Sequence, residues 1–466
     1  MDATPYCSAQ KLATAIQKKE ISSKEAVNAC LERINHVNLK LNAVVQIAAQ
    51  QALKAAENAD DALAEGKISG PLHGLPMTIK DSLDTAGIIS TGGTLGRKSY
   101  IPSQDAAVVA RLRAAGAILL GKTNTPEFTL SYETDNLVYG QTRNPYHLSY
   151  SPGGSSGGAA AIVSAGGSAF DIGSDYGGSL RYPSHCCGIT TIKPTSGRVP
   201  RTGHILPFGG LLDSFQQIGP MARCVQDLQM ILPLIIGPDG IDPSIVPMPM
   251  GNPETVDLKS LRFTFHTDNG IVSPDSDTRK VICNAAAILE KDGMKIVEAR
   301  PAGIEQAHDI AQGLWAADGG ASIERLLKEA GTQEHTIPWL GMAPPLEAAE
   351  LDALIVRWYR FRSTMLSFFN HHDLIICPVN AYPAQPHGTL GKDLQAFSYT
   401  SAYNLTGWPA AVIRGGTSSG GLPIGVQIIA KPWREDVALA VAAHLEAALG
   451  PFPCPGLSVA AKASSS

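Results

Sequence analysis

Two glycine–serine clusters and one lysine carry the residue types that could do covalent chemistry in this chain of 466 residues. The first cluster is Pro152-Gly153-Gly154-Ser155-Ser156-Gly157-Gly158, and the second is Gly173-Ser174-Asp175-Tyr176-Gly177-Gly178-Ser179. A serine hydroxyl attacks a carbonyl carbon once a base takes its proton. Glycines let backbone N–H groups come close to the oxyanion that results. Lys80, behind the apolar run Leu75-Pro76-Met77-Thr78-Ile79, offers the base. A lysine accepts a proton only when neutral, and at its ordinary pKa of about 10.4 well under 1% is neutral at pH 8. Desolvation by the apolar run would lower that pKa. Alone, Lys80 reads as a solvated lysine and each cluster as a tight turn with a capping serine. Together they read as a serine nucleophile served by a lysine, with no catalytic histidine.

These groups need elements to position them. The first seventy residues read as helical: Ser22-Ser23-Lys24-Glu25 has capping-box spacing, and Val27, Cys30, Leu31 and Ile34 form an apolar stripe behind it. A second, alanine-rich helix is expected from about Val45 to Glu65. The pattern then turns α/β. Strands are expected at Leu75–Ile79, Ala117–Leu120, Ala169–Gly173, Asp373–Cys377, Ala410–Ile413 and Ile424–Ile429, with helices at Ala106–Ala115, Gly157–Ala165 and Glu435–Leu449. That alternation predicts a large mixed sheet covered by helices on both faces. Residues Trp315 to Ala349, rich in Gly and Pro with Trp315 and Trp339, read either as a mobile cap over a site or as a helical excursion packed on the core. The last residues, Lys462 to Ser466, read as a frayed tail.

Two motif matches compete with the serine–lysine reading. Gly116-Ala117-Ile118-Leu119-Leu120-Gly121-Lys122-Thr123 fits the phosphate-loop pattern GxxxxGK[ST] literally. Its four central residues are apolar and read as a strand, whereas a phosphate loop must be polar and flexible, so nucleotide binding is set aside. The first serine cluster also fits GxSxG, centred on Ser155 or Ser156. That is the nucleophile-elbow pattern of α/β-hydrolases, which needs an apolar strand before the serine and a histidine after it. The preceding residues end in Pro152 instead, but His371, His372 and His387 are available, so an esterase of that type stays open.

Composition sets the outer bounds. The chain is 44% hydrophobic, enough for a large core. A net charge of −5 disfavours a nucleic-acid partner. No apolar stretch reaches the roughly 18 residues of a membrane span, and the start carries no signal-peptide pattern. The eight cysteines lack metal spacing and read as reduced thiols of a cytoplasmic protein; Cys186-Cys187 after His185 read as buried small hydrophobes.

The ordered set of motifs resembles the amidase-signature family of serine hydrolases. It runs from Gly70-Pro71-Leu72-His73-Gly74-Leu75-Pro76 through Lys80-Asp81, Gly121-Lys122-Thr123-Asn124 and Thr142-Arg143-Asn144-Pro145 to both serine clusters. It continues with Lys193-Pro194-Thr195-Ser196-Gly197, Gly219-Pro220-Met221-Ala222-Arg223, Asn404-Leu405-Thr406-Gly407 and Gly421-Leu422-Pro423-Ile424-Gly425-Val426-Gln427, and fades between about 230 and 370. The resemblance implies one domain over residues 1–466. Its helical region would span about 1–70, its core about 71–230 and 370–450, and its variable substrate or cap region about 231–369.

The resemblance also implies a Ser–Ser–Lys triad: Ser179 as nucleophile, Ser155 as bridging serine after a cis Gly154–Ser155 bond, and Lys80 as base. The N–H groups of Tyr176, Gly177, Gly178 and Ser179 would form the oxyanion hole. Asp175 and Arg181 would hold the glycine turn rather than touch substrate, and Ser156 would cap a helix. Tyr176 stands where the family more often has a small or β-branched residue, so its ring should line the pocket. Trp315, Trp339 and Met342 are the other expected pocket residues. Glutamine-using subunits of tRNA amidotransferases carry Arg-Tyr-Asp-Gly in the middle region; the nearest text here is Trp315-Ala316-Ala317-Asp318-Gly319-Gly320, which argues against that role. The expected substrate is a small or aryl amide, with carbamates next and esters as a side activity. The expected form is a monomer or homodimer, with no metal and no cofactor. A non-catalytic binding protein of the same fold is the non-enzymatic alternative.

Overall fold

Alternating apolar positions build a sheet whose two faces are both buried. In the computed structural model, which describes residues 6–210, 212–337 and 339–457, eleven strands form one sheet. They are β1 (Val44–Ile47), β2 (Pro76–Lys80), β3 (Ile118–Thr123), β4 (Phe170–Asp175), β5 (Thr190–Lys193), β6 (Gln217–Ala222), β7 (Arg262–Phe265), β8 (Lys295–Glu298), β9 (Leu374–Pro378), β10 (Ala410–Thr417) and β11 (Pro423–Ala430). Their order is β1-β3-β2-β4-β6-β5-β10-β11-β9-β7-β8. The sheet is mixed: β3, β2 and β4 run parallel, as do β9, β7 and β8, while β4–β6, β6–β5, β5–β10, β10–β11 and β11–β9 are antiparallel.

Period-two alternation assigns each side chain to a face. On β9, Leu374 and Ile376 join one apolar cluster, while Ile375 and Cys377 join another on the opposite side. The first face is covered by helices Ala107–Ala114, Val225–Ile235, Ser276–Lys291 and Glu435–Leu449, whose Val109, Leu228, Ile282 and Leu439 enter the same cluster. Ser23–Leu41, Gly157–Ser164, Arg181–Cys187, Ala307–Ala316, Ala348–Ser367 and Ser398–Thr406 cover the other. The expected α/β architecture, with helices on both faces, is therefore the one found.

Strong local signals form the elements they predict. The Ser22 capping box forms, with Ser22 Oγ accepting the Glu25 N–H at 3.1 Å and Glu25 Oε2 accepting the Ser22 N–H at 2.8 Å. The helix expected from Val45 begins instead at Ala49, because Val44–Ile47 pair with β3 as an edge strand. The phosphate-loop text is β3 itself. Lys122 is fully buried in that strand and donates to Thr85 Oγ1 and Ser90 Oγ, each at 3.0 Å, and to the Leu83 carbonyl. Residues 315–349 hold a helix at Ala321–Ala330 between Ala307–Ala316 and Ala348–Ser367. The His185 ring is spanned by backbone, with Nδ1 accepting the Gly425 N–H at 2.9 Å and Nε2 lying 3.0 Å from the Tyr382 carbonyl. The tail expected to fray, 462–466, lies outside the described residues. No described helix is long and apolar enough to cross a membrane.

Candidate active site

Parallel pairing brings the chemistry to one edge of the sheet. β2 and β4 run side by side with Thr78 opposite Asp171 and Ile79 opposite Ile172, so their C-terminal residues, Lys80 and Ser174-Asp175, finish together. The second glycine cluster leaves β4 at this edge and becomes the helix Arg181–Cys187. The first cluster runs into the helix Gly157–Ser164, and the Ser156 N–H donates to the Ser179 carbonyl at 3.2 Å. Both loops are thus stitched to each other above the strand that carries Lys80.

Lys80 Nζ lies 2.7 Å from Ser155 Oγ and 3.0 Å from Ser174 Oγ. Lys80 is fully buried, Ser155 is 1% exposed and Ser179 is 4% exposed. Burial brings the Lys80 ammonium down from its ordinary value to about 7, against the opposing pull of Asp175 and Asp171. Near neutral pH a large share of Lys80 is therefore the free amine. The Gly154–Ser155 peptide is cis.

The turn from Tyr176 to Ser179 is fixed from below. Asp175 Oδ1 accepts from the Gly178 N–H and from Asn404 Nδ2, both at 2.8 Å, while Oδ2 accepts from the Leu180 N–H at 3.1 Å and from Arg181 Nε at 3.0 Å. Arg181 also donates to the Thr400 carbonyl at 2.9 Å and to Gln427 Oε1 at 2.8 Å. Burial alone would raise the Asp175 pKa, but the Arg181 charge and the bonds from Arg181 and Asn404 outweigh it and hold the carboxyl well below the usual range. The pair is fully buried and ties the turn to two distant segments, the helix Ser398–Thr406 and β11.

One N–H of the expected oxyanion set is already occupied. The Gly178 N–H is bonded to Asp175, and on the same peptide the Gly177 carbonyl accepts from Thr400 Oγ1 at 2.8 Å and Tyr132 Oη at 3.2 Å. This peptide is turned so that neither end faces a reacting carbonyl. Among the described residues, the N–H groups of Tyr176, Gly177 and Ser179 have no partner. A Cβ on Gly177 would lie 2.7 Å from Tyr132 Oη and 3.0 Å from Trp315 Cη2, so a side chain there would force the turn or these rings to shift.

Ser156 does not cap the helix that follows it. Its Oγ donates to the Ser174 carbonyl at 3.2 Å, and Thr134 Oγ1 accepts the Gly157 N–H at 3.1 Å. The pocket residues also sort differently. Trp315 stacks on Tyr176 with ring centroids 5.6 Å apart, and Phe215, which no sequence signal marked, meets the Tyr176 ring edge-on at 5.9 Å. Trp339 packs elsewhere, in a cluster with Phe128, Ile205, Leu206, Ile323 and Leu327. Met342 is 78% exposed and lines no wall with Tyr176. His204, Thr400 and Tyr132 likewise carry no sequence signal for the site, and Ser174, though within the second cluster, had no role marked for it. Asn404 and Gln427 lie in motifs that carried the resemblance, but their role as partners of Asp175 and Arg181 becomes visible only in three dimensions.

Ser155 Oγ bonds Lys80 and no histidine, and no regular strand leads into it. His371, His372 and His387 make no hydrogen bond to either serine of the first cluster. His387 sits beside Glu133, 3.8 Å from Nδ1 to carboxylate. The nucleophile-elbow reading therefore has no support in this geometry.

Comparison with known proteins agrees with this architecture. The Amidase family model matches residues 25–439. An indoleacetamide hydrolase from Bradyrhizobium diazoefficiens is 35% identical over 94% of this chain and 86% of its own length. One glutamyl-tRNA(Gln) amidotransferase subunit, from Carboxydothermus hydrogenoformans, is 33% identical over 95% of this chain and 97% of its own. The structure of 6-aminohexanoate cyclic dimer hydrolase complexed with substrate superposes with a TM-score of 0.87 at 29% identity, covering 97% of this chain and 99% of that one. The chain therefore belongs to the amidase family and is a hydrolase of carbon–nitrogen bonds.

Proposed function

We propose that this protein hydrolyses small aryl amides through an acyl-enzyme on Ser179, with Ser155 relaying protons to Lys80. The observation that carries the reading is the buried 2.7 Å contact between Lys80 Nζ and Ser155 Oγ, beside a turn with unpartnered N–H groups. In acylation, Lys80 Nζ takes the Ser155 proton as Ser155 Oγ takes that of Ser179, and Ser179 Oγ bonds to the carbonyl carbon. The N–H groups of Tyr176, Gly177 and Ser179 are the candidates to hold the oxyanion, and in other systems one such donor is worth roughly 3 kcal/mol. The proton returns through Ser155 to the leaving nitrogen as the C–N bond breaks. Water then enters, gives a proton along the same path and bonds to the acyl carbon; the carbon–Ser179 Oγ bond breaks, the proton returns through Ser155 to Ser179 Oγ, and the acid leaves.

Aromatic side chains beside the turn support an aryl substrate, because the half-buried Tyr176 and Trp315 stack there, backed by the fully buried Phe215. The similarity to an indoleacetamide hydrolase points the same way. Carbamates undergo the same attack and form the second substrate class; esters, with better leaving groups, form a third. No step needs a metal or cofactor. The eight free thiols suit a reducing compartment, and we place the protein in the cytoplasm as a monomer or homodimer.

A fluorophosphonate probe followed by peptide mapping tests the nucleophile. The expected adduct is on Ser179 and is lost in Ser179→Ala; an adduct on Ser155 or Ser156, or none at all, overturns the assignment. A panel of anilides, primary amides and carbamates then ranks the substrate classes. The likeness to amidotransferase subunits supplies the second reading, which predicts glutamine hydrolysis only when partner subunits are added. Activity of the isolated chain on aryl amides, with none on glutamine, removes it.

A further inference from the structure

Behind Lys80 stands a histidine that the proposed chemistry does not use. Ser174 Oγ, 3.0 Å from Lys80 Nζ, is also 2.9 Å from His204 Nε2. Ser174 is 2% exposed and His204 is 8% exposed. The backbone sets the tautomer of the ring: the Leu206 N–H lies 3.1 Å from His204 Nδ1 and can only donate to it. In the neutral ring the hydrogen is then on Nε2, so His204 donates to Ser174 Oγ. Burial, and next the charge of Lys80, push the His204 pKa down to about 3, so the ring stays neutral over the working range. His204 is a fixed donor, neither an acid nor a base. Its position relative to Lys80 is also fixed, since His204 bridges Leu83 and the Ile205 N–H donates to the Ser82 carbonyl at 2.8 Å.

A fixed donor on one side constrains the hydroxyl. Among the described residues Ser174 Oγ has two partners, His204 and Lys80. With His204 donating, the Ser174 hydrogen has one acceptor in reach, the lone pair of a neutral Lys80 amine. An ammonium offers no lone pair, and would leave that hydrogen buried with no acceptor, which is unfavourable. We propose that His204 is a positioning residue for the base: its N–H turns the Ser174 hydroxyl toward Lys80 and thereby favours the free amine over the ammonium. Before transfer the Ser174 hydrogen rotates away about Cβ–Oγ and frees the single Lys80 lone pair; Ser155 delivers its proton there, and Ser174 Oγ accepts an N–H from the new ammonium. The other ionisable groups here are Asp175 and Asp171 on β4, which favour the ammonium when ionised, and Arg201 and Arg97, whose charges act on His204. Lys122 and Asp81 pair next door.

The proposal rests on Lys80 as base, and the test separates the two. The pH dependence of kcat/KM is measured for the wild type, His204→Gln, Ser174→Ala, the double variant and Lys80→Ala. A glutamine carbonyl can accept the Ser174 hydrogen and so satisfy the ammonium. His204→Gln should therefore move the acidic limb up by about one pH unit, roughly a tenfold loss on the acidic side, with a smaller loss on the alkaline plateau. Ser174→Ala should move the limb up as well, and adding His204→Gln to it should move it no further. A limb that stays put in His204→Gln, or that shifts equally with and without the Ser174 hydroxyl, overturns the proposal. Should His204→Gln fail to fold, an unmoved limb in Ser174→Ala has the same force. A limb that still levels off above about pH 7 in Lys80→Ala instead overturns the base assignment. Loss of that limb together with an unmoved one in His204→Gln overturns the His204 role alone.

Discussion

Lys80 is the residue on which the proposed chemistry depends, and its environment dictates its pH behaviour. The acting form is the neutral amine. Burial places its pKa near 7, so kcat/KM should rise with pH through about 7 and level off above it. Lys80→Ala removes the base and should lower kcat/KM near neutral pH by about 10²–10⁴-fold, with residual activity that climbs with pH as hydroxide substitutes. A pH–rate series on an anilide substrate checks both; wild-type activity in Lys80→Ala at pH 7 would exclude it as base. Lys193 shows that a depressed pKa alone does not identify the base. It too is buried and brought down to about 7, yet its Nζ bonds only the Pro194 carbonyl and touches no serine. Geometry, not the shift, singles out Lys80.

At the scale of elements, the turn between β4 and the helix Arg181–Cys187 does the positioning. Its shape is held by Asp175 and Arg181 from inside and by Thr400 and Tyr132 from above. Gly177 is a tight point, because any Cβ there meets Tyr132 Oη and the Trp315 ring. Gly177→Ala should displace the turn by a fraction of an ångström and cut kcat roughly 10–10²-fold, since misplacement on the scale of 1 Å costs about 10². Thermal unfolding should shift by only a few degrees. Unchanged kcat would mean the turn does not serve the reacting carbonyl. The glycines make this turn recognisable in the sequence. Consecutive small residues carry no sign of which peptide will rotate toward a carboxylate, so the Gly178 N–H counts among the oxyanion donors until the fold is seen.

Across the whole molecule, the sheet buries ionisable groups that must be matched or neutral. Asp171 is fully buried on β4 between β2 and β6, with Oδ2 accepting from Thr78 Oγ1 at 2.6 Å and Thr123 Oγ1 at 3.1 Å. Burial pushes its pKa up to about 7. A folded pKa above the unfolded value of about 3.9 means that the folded state holds the proton. That contribution is fully present below the unfolded pKa and is lost as pH rises through about 7. Asp171→Asn stays neutral throughout, so relative to the wild type it should gain about 2 kcal/mol of stability between pH 5 and pH 8. Denaturant unfolding at the two pH values measures this. An identical pH dependence in both proteins would mean that Asp171 is ionised in the fold.

The sequence by itself determined the periodicities and the reactive residue types. Apolar runs gave six of the eleven strands, and capping and glycine signals gave helix ends, because these are local properties of the chain; Lys80, Ser155 and Ser179 were marked as a set by the family resemblance of the spaced motifs. Only the tertiary structure decided which distant groups share one sheet edge. Ser174 and His204 join Lys80 because β2 and β4 pair in parallel and the segment after β5 folds back onto Leu83. Trp339 and Met342, close in sequence to Trp315, part from it because Gly319 and Gly320 start a new helix and carry them to another face. The Gly178 N–H went to Asp175 for a similar reason: a fully buried carboxylate must be satisfied by whichever donors the fold brings to it.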